Sequence, residues 1–261
     1  ESQPLLVRQA AVSALHDQDQ LLRIATEAPT PALRTAATIR LIELSPTPQI
    51  LQMLLADQDP VVSSIALDHI SEHPEKFTVT EVLEAVGDRS ETDLVLAPLT
   101  FLEELPPRKR APAKATIAQL RLHPDRAVRA SASRLAKELK LPAPPPGAFN
   151  PPLPDLSAIH RIRSARIFTS AGELRVELRP DIAPMAVHRF ASLAEADFYD
   201  GLFFHRVVPN FVVQGGCSRG DGWGSADRLL PSEASWLPYK AGTMGMADAG
   251  LDTAGSQWFI T

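Results

Sequence analysis

The stretch FFHRVVPNFVVQGG, residues 203–216, says most about the fold of the second half of this 261-residue chain. Two short runs rich in β-branched and aromatic residues, FFHRVV (203–208) and FVVQGG (211–216), flank Pro209 and Asn210. Proline and asparagine are turn formers. The pattern therefore predicts two antiparallel strands joined by a tight turn.

The residues before this stretch also change to a short-strand pattern. Residues 165–169 and 173–178 alternate in polarity or are β-branched, and Ser170, Ala171 and Gly172 separate them, which predicts another hairpin. The apolar spacing that follows Ala183-Pro184 predicts a helix of about twelve residues, because proline is favoured at a first helical position.

Two longer segments resemble the cyclophilins. FYDGLFFHRVVPNFVVQGG, residues 198–216, is similar to the family's signature, and TMGMADAGLDTAGSQWFIT, residues 243–261, is similar to its second conserved block. Residues 165–196 are similar to its opening hairpin and first helix. The resemblance implies a mainly-β barrel of eight antiparallel strands capped by helices, with a substrate groove on its outer face. It also implies peptidyl-prolyl cis/trans isomerase (rotamase) activity that assists protein folding, as a chaperone does.

The ends of the chain raise a further expectation. The family runs on beyond the position that matches Thr261, so we expect the barrel to be incomplete at its C-terminus and the chain to be a fragment. The first residue is Glu1 rather than methionine, which favours a processed or trimmed product.

The resemblance implies roles for ten residues. Arg206 matches the family's catalytic arginine, and Gln214 matches the glutamine that holds the substrate backbone. Phe211 and Phe259 match the aromatic wall of the proline pocket. The full set of implied substrate-binding positions is His205, Phe211, Val212, Ala247, Asp248, Ala249, Gln257 and Phe259. Three positions of the matching segments depart from the pattern, since Val212 stands where methionine is common, Asp248 where asparagine is usual and Ala254 where asparagine is common.

The implied reaction suits these residue types. An X-Pro bond isomerises slowly because rotation breaks amide resonance, a barrier of roughly 18–20 kcal/mol. In the twisted amide the proline nitrogen regains its lone pair, and a fixed guanidinium such as that of Arg206 donates to it only then. The reaction needs no nucleophile, base, metal or cofactor. For His205, a groove role and a structural role both remain open.

Other features of the second half have less specific interpretations. The glycine-rich GDGWGS, from Gly220, lacks the lysine of a phosphate loop, so a barrel loop is favoured. Cys217 is predicted to be a turn residue rather than a redox switch. Phe204 and Trp258 are predicted to lie in the core, because neighbours on a strand face opposite sides.

The first half has a helical period throughout. Segments of one type begin at Val7, Leu33, Val61, Leu94 and Val128, and shorter amphipathic stretches begin at Gln20, Gln49, Thr80 and Ala113. Helix-start signals lie at Thr30-Pro31, Ser45-Pro46, Asp59-Pro60 and Asp125. The rhythm after Asp125 resembles HEAT-like repeats, in which stacked helix pairs share a continuous core. A plain all-helical bundle remains the alternative.

Proline content divides the chain into domains. The run LPAPPPGAFNPPLPD, residues 141–155, cannot sit inside a helix or a central strand, and is typical of a stiff extended spacer. A PxxP docking motif is the alternative. The predicted organisation is a HEAT-like repeat domain at 1–140, a proline-rich linker at 141–156 and a partial cyclophilin-like domain at 157–261.

Composition limits the partners and the compartment. The formal net charge of −5 argues against general nucleic-acid binding, and no apolar run is long enough to span a bilayer. The histidines of the first half are scattered without metal-ligand spacing. One cysteine excludes an internal disulfide but suits either a bacterial periplasm or a cytoplasm, with a lean towards the periplasm.

Two functions therefore compete. One is a prolyl isomerase that acts on proline-containing segments of client proteins, with the repeats as a scaffold for a protein partner. The other is a non-catalytic module that binds proline peptides on the same scaffold.

Overall fold

The computed structural model describes residues 3–87, 89, 91–147, 157, 159–226 and 228–261, with the side chains of 92 and 93 left out. It divides into two compact units, Glu1–Phe149 and Asn150–Thr261. Within the predicted linker, residues 148–156 lie outside the described residues. The domain boundaries at 140 and 157 stay predictions.

The described residues of the first unit are all helical, as predicted. They form nine α-helices and two short 3₁₀ segments, Pro74–Lys76 and Pro107–Ala113. The α-helices are α1 (Leu5–Ser13), α2 (Gln18–Glu27), α3 (Pro31–Glu43), α4 (Pro48–Leu55), α5 (Pro60–Glu72), α6 (Val79–Val86), α7 (Thr92–Glu104), α8 (Lys114–Leu120) and α9 (Arg126–Glu138).

The helix starts follow local chemistry. Helices α3 and α5 begin with proline at the first position, and Asp125 is the N-cap of α9, as the start signals indicate. One signal was wrong. Helix α4 begins at Pro48 after Thr47, whose hydroxyl accepts from the Ile50 amide, and not at Pro46.

Helix contacts alternate between two layers. The odd-numbered helices α1 to α9 contact one another in succession, and α2, α4 and α6 do the same, while α2 packs on α3, α4 on α5, α6 on α7 and α8 on α9. The recurring long segments form the odd layer, and the shorter amphipathic stretches form the even layer. One apolar cluster runs through the unit and includes the fully buried Leu41, Leu67, Phe101 and Leu135. This order of contacts is that of stacked helix pairs; the HEAT-like assignment stays a prediction.

Arg89 joins two helix ends in this array. Its guanidinium donates to the carbonyls of Val86 and Ala85 at the end of α6, at 3.0 and 2.7 Å. It also donates to the carbonyls of Asp57 and Leu55, just after and at the end of α4, at 2.6 and 3.3 Å. The last carbonyls of a helix have no partner within the helix, so one side chain satisfies acceptors at the ends of two helices.

The second unit contains one α-helix and six strands among its described residues. They are β1 (Ser164–Thr169), β2 (Gly172–Glu177), α10 (Pro184–Glu195), β3 (Arg206–Val208), β4 (Val212–Gly215), β5 (Met244–Met246) and β6 (Trp258–Ile260). The predicted hairpin of β1 and β2 and the predicted helix α10 are confirmed. The strand predicted at 203–208 is shorter in the structure. It begins at Arg206, and residues 203–205 lie outside it.

The strands form two sheets. Strands β1 and β2 pair with each other, and the other four lie in the order β3-β4-β6-β5, all antiparallel. The turn between β3 and β4 is the predicted one, with Asn210 at a φ of 59°. The described strands do not close into a barrel. The sheet packs over a small core in which Trp258, 4% exposed, meets the ring of Phe204 edge-on at 5.6 Å, as predicted for both residues.

None of the α-helices described above has both the length and the apolar character that crossing a bilayer requires.

We predict that Arg89→Ala lowers the free energy of unfolding of the helical unit by roughly 2–4 kcal/mol, because four carbonyls near the ends of α4 and α6 lose the guanidinium as a donor. Two of them, those of Leu55 and Asp57, also accept from the Ser63 hydroxyl. Urea unfolding followed by circular dichroism at 222 nm measures this loss. All three tryptophans, Trp223, Trp236 and Trp258, lie in the second unit, so their fluorescence monitors that unit separately. The control is Arg23→Ala on the exposed side of α2, with an expected change within about 0.5 kcal/mol. Equal losses in the two variants would contradict the proposed role of Arg89.

Candidate functional site

The register of the four-stranded sheet aligns the candidate residues in one row. Arg206 of β3 pairs with Gln214 of β4, Gln214 pairs with Phe259 of β6, and Phe259 pairs with Gly245 of β5. Residues directly opposite each other on antiparallel strands project to the same face. We call Arg206, Gln214, Phe259 and Gly245 the cross-strand row. It spans three strand spacings, about 14 Å.

Arg206 lies at the β3 end of this row, on the exposed side of the sheet. Its guanidinium carbon lies 5.7 Å from the centroid of the Phe211 ring, within the range of a cation–π contact. Its Nη1 lies 3.5 Å from the side-chain oxygen of Gln214. Phe211 itself is 60% exposed, since it sits in the turn just before β4. The charge and the ring are therefore both available to a ligand.

Gln214 is held by a chain of amide hydrogen bonds. Its Nε2 donates to Oε1 of Gln257 at 2.9 Å. Gln257 in turn donates to the carbonyls of Gly222 and Gly224, at 2.6 and 2.9 Å. These bonds orient the Gln214 amide so that its oxygen faces Arg206. Gln257 thus positions Gln214 and anchors the glycine-rich loop.

Phe259 occupies the third position of the row and contacts an aromatic residue from a distant loop. The centroid of its ring lies 5.3 Å from that of Tyr239, with the planes tilted by 51°. The β5 position beside it, Gly245, has no side chain. The Tyr239 ring fills that space, since a Cβ built on Gly245 would lie 2.8 Å from the ring. Sequence reasoning missed Tyr239, because nothing in its neighbourhood marks it as a partner of Phe259.

The segment 247–249 follows β5 at the edge of the row. The Ala247 amide donates to the Gln257 carbonyl at 2.9 Å, and the Ala249 amide donates to the Thr253 hydroxyl at 2.8 Å. The Asp248 carboxylate accepts from the Gly250 amide. Within the described part of the chain, the N–H and carbonyl of Asp248 form no hydrogen bond. Asp248 therefore offers one backbone donor and one acceptor to a ligand.

His205 precedes the row and is half-buried. Burial lowers the pKa of its imidazole. The Asp221 carboxylate and the Gln257 side chain oppose this shift, whereas the charge of Arg206 adds to it. Burial thus favours the neutral form of the ring.

The remaining candidate, Val212, lies on the same face as Gln214 but is buried, so it forms the floor beside the row. Cys217 is also buried, and its Sγ accepts from the amides of Gly222 and Gly224 at 3.2 Å each. The GDGWGS segment thus folds around a sulfur atom as a loop, the structure favoured above. In the described ranges, no group of three His, Cys, Asp or Glu residues is arranged to hold a metal ion.

Comparison with known families matches residues 164–261 to the cyclophilin type peptidyl-prolyl cis-trans isomerase family. The matched range contains every residue of the cross-strand row. It also contains all ten candidate residues derived from the sequence.

Curated relatives agree with this match. A peptidyl-prolyl cis-trans isomerase of Synechococcus elongatus is 46% identical over 92 residues, which cover 35% of this chain and 63% of the relative. Peptidyl-prolyl cis-trans isomerase B of Bacillus subtilis is 45% identical over 96 residues, 36% of this chain and 67% of the relative. The chain thus spans about two thirds of the length of these relatives.

Among solved structures, a cyclophilin type peptidyl-prolyl cis-trans isomerase of Cryptosporidium parvum, determined in the presence of the dipeptide Ala-Pro, is 34% identical. The match covers 38% of this chain and 66% of that one, with a TM-score of 0.37. On the family match and the identity to these relatives, this chain belongs to the cyclophilin-type peptidyl-prolyl cis-trans isomerase family.

Proposed function

We propose that the domain at residues 164–261 catalyses rotation about X-Pro peptide bonds in protein substrates. The observation that carries this proposal is the cross-strand row, which sets the guanidinium of Arg206 beside the amide of Gln214. Phe259 follows Gln214 in the row, and the Phe211 ring lies next to the guanidinium on the other side. The family relatives named above are peptidyl-prolyl isomerases, which adds support.

Arg206 supplies the rate enhancement in this proposal. In the planar amide, the nitrogen lone pair is delocalised and accepts no hydrogen bond. As the bond twists, the lone pair localises on the proline nitrogen and the guanidinium donates to it. The contact strengthens towards the transition state, and such differential binding lowers a barrier. Because Phe211 and Gln214 hold the guanidinium, little reorganisation is needed during the reaction.

Phe259 and Phe211 grip the pyrrolidine ring in this mechanism, while polar groups hold the rest of the peptide. Gln214, fixed by Gln257, contacts the substrate backbone. Asp248 pairs with the substrate backbone through its own free N–H and carbonyl. One side of the X-Pro bond is thereby held while the other turns. A row of about 14 Å accommodates roughly four residues of extended peptide.

We predict that Arg206→Ala lowers kcat/KM for a proline tetrapeptide on the order of 100-fold, the usual loss for one transition-state donor. Arg206→Lys retains the charge without the planar fork, so we expect a smaller loss. The matched control is Arg166→Ala. Arg166 also lies over an exposed phenylalanine, Phe168, at 5.4 Å, but it is on β1 and outside the row.

The same experiment separates catalysis from mere binding. Equal rates for the chain and for Arg206→Ala would reject the mechanism. If the chain binds the peptide by calorimetry but shows no turnover, the non-catalytic binding module is the correct function.

We further predict that kcat/KM is flat between about pH 6.5 and 8.5. The mechanism uses no base, and burial lowers the pKa of His205, which favours its neutral imidazole. His205→Gln should leave the profile flat. A rate that falls with a pKa near 7 in the unsubstituted chain, and not in His205→Gln, would show that His205 acts as a base.

For the helical unit we propose a protein-binding role. Helices α5 and α7 border a groove of about 390 Å³, lined by Asp68, Ser71, Glu72, Pro74, Thr100 and Glu104. Three of these six residues are acidic. Opposite charges steer association between proteins, so the groove suits a basic segment of a client or partner.

We predict that Glu72→Lys/Glu104→Lys slows the catalysed refolding of a basic client protein several-fold at low salt, because attraction turns into repulsion. Turnover of a neutral tetrapeptide should not change, since it needs only the row. The control is Glu27→Lys/Glu84→Lys, which makes the same change of net charge at exposed positions elsewhere. An equal effect of both pairs would assign the result to net charge and reject the groove.

A further inference from the structure

We propose that Tyr239 is a specificity-determining residue that selects apolar and aromatic side chains next to the substrate proline. This inference rests on the proposed function of the cross-strand row, and it names a preference that the row by itself does not specify.

The first observation is the gap at the end of the row. Arg206, Gln214 and Phe259 each carry a side chain on the ligand-facing side, whereas Gly245 carries none. The Tyr239 ring lies over this position, with Cε1 and the hydroxyl oxygen 2.8 Å from where a Cβ would be. Tyr239 therefore supplies the fourth side chain of the row from outside the sheet.

The second observation is how the chain holds Tyr239 in place. The next residue, Lys240, donates its amide to the Thr243 hydroxyl at 3.0 Å, and its carbonyl accepts from the Thr243 amide at 2.8 Å. The Gly242 amide donates to the carbonyl of Thr261, next to the end of β6, at 2.7 Å. These bonds tie the turn before β5 to the strand that carries Phe259. The backbone next to Tyr239 is thus held by hydrogen bonds on its C-terminal side, and the ring lies against Phe259.

The third observation is exposure. Tyr239 is 62% exposed although it contacts Phe259, and its hydroxyl has no hydrogen-bond partner in the described ranges. A ring that only supported Phe259 would lie beneath it. Instead, the two tilted rings form a continuous aromatic surface that begins at the expected proline pocket. A substrate side chain flanking the proline would meet the Tyr239 ring.

An aromatic surface of this kind has a defined preference. A flanking phenylalanine gains an aromatic pair in addition to the area it buries. A flanking glutamine has a similar length and no charge, so it leaves the attraction to Arg206 unchanged while losing the ring contact. The ratio of affinities for these two peptides therefore isolates the effect of Tyr239.

The test measures binding of tetrapeptides with phenylalanine or glutamine on either side of proline, by isothermal titration calorimetry on the full chain. We expect the chain to prefer the phenylalanine peptide by about 3- to 10-fold. Tyr239→Ala should abolish this preference, and Tyr239→Phe should retain it.

The matched control is Trp236→Ala. Trp236 is 85% exposed in the same loop and contacts no other aromatic ring among the described residues, so the preference should persist. Fluorescence of Trp223 and Trp258 during thermal unfolding shows whether each variant is folded.

Three results would overturn the proposal: no preference in the unsubstituted chain, the same preference in Tyr239→Ala, or an equal loss of affinity for both peptides. The last would make Tyr239 a positioning residue for Phe259. Because binding is measured, the proposal does not depend on turnover. A preference without isomerisation would support the inference on Tyr239 while rejecting the proposed catalytic function.

Discussion

The antiparallel register of β3, β4, β6 and β5 is the constraint on which the site depends. Arg206 and Gln214 are eight positions apart in the chain, and Phe259 lies far beyond both. Pairing brings them side by side because directly opposed residues share a face. A slip of one residue would turn the whole set towards the other face. The site therefore requires the sheet to form in this register before any side chain can act.

One face of this sheet packs against the core, and the other carries the site. Trp258 and Ile260, the neighbours of Phe259 on β6, pack against the core with Met244 and Met246 of β5. Their burial is what specifies the register, since apolar side chains on the wrong face would lie in water. Core packing on one face thus aligns Arg206, Gln214 and Phe259 on the other. The side-chain hydrogen bond from Gln214 to Gln257 then orients Gln214. The hydrogen bonds of Thr243 hold the turn before β5.

In the helical unit, arginine side chains donate hydrogen bonds to carbonyls at the ends of helices. Stacked helices bury many helix ends, and each end has carbonyls without a partner in its own helix. Arg89 satisfies the ends of α4 and α6, and the buried Arg110 donates to the carbonyls of Glu103 and Leu105 near the end of α7 and pairs with Glu138 of α9. Long arginine side chains thus join the ends of helices that are distant in the sequence.

Local patterns in the sequence were enough to predict the helices of the first unit, the β1–β2 hairpin, helix α10 and the turn at Asn210, because each rests on residues close together in the chain. They also marked the ten candidate site residues, through the resemblance of two segments to one family. Tertiary structure decided that Gln257 holds Gln214 and that Tyr239 covers Gly245 beside Phe259. These contacts join residues without a shared period or motif, so they exist only once packing and register have brought distant segments together.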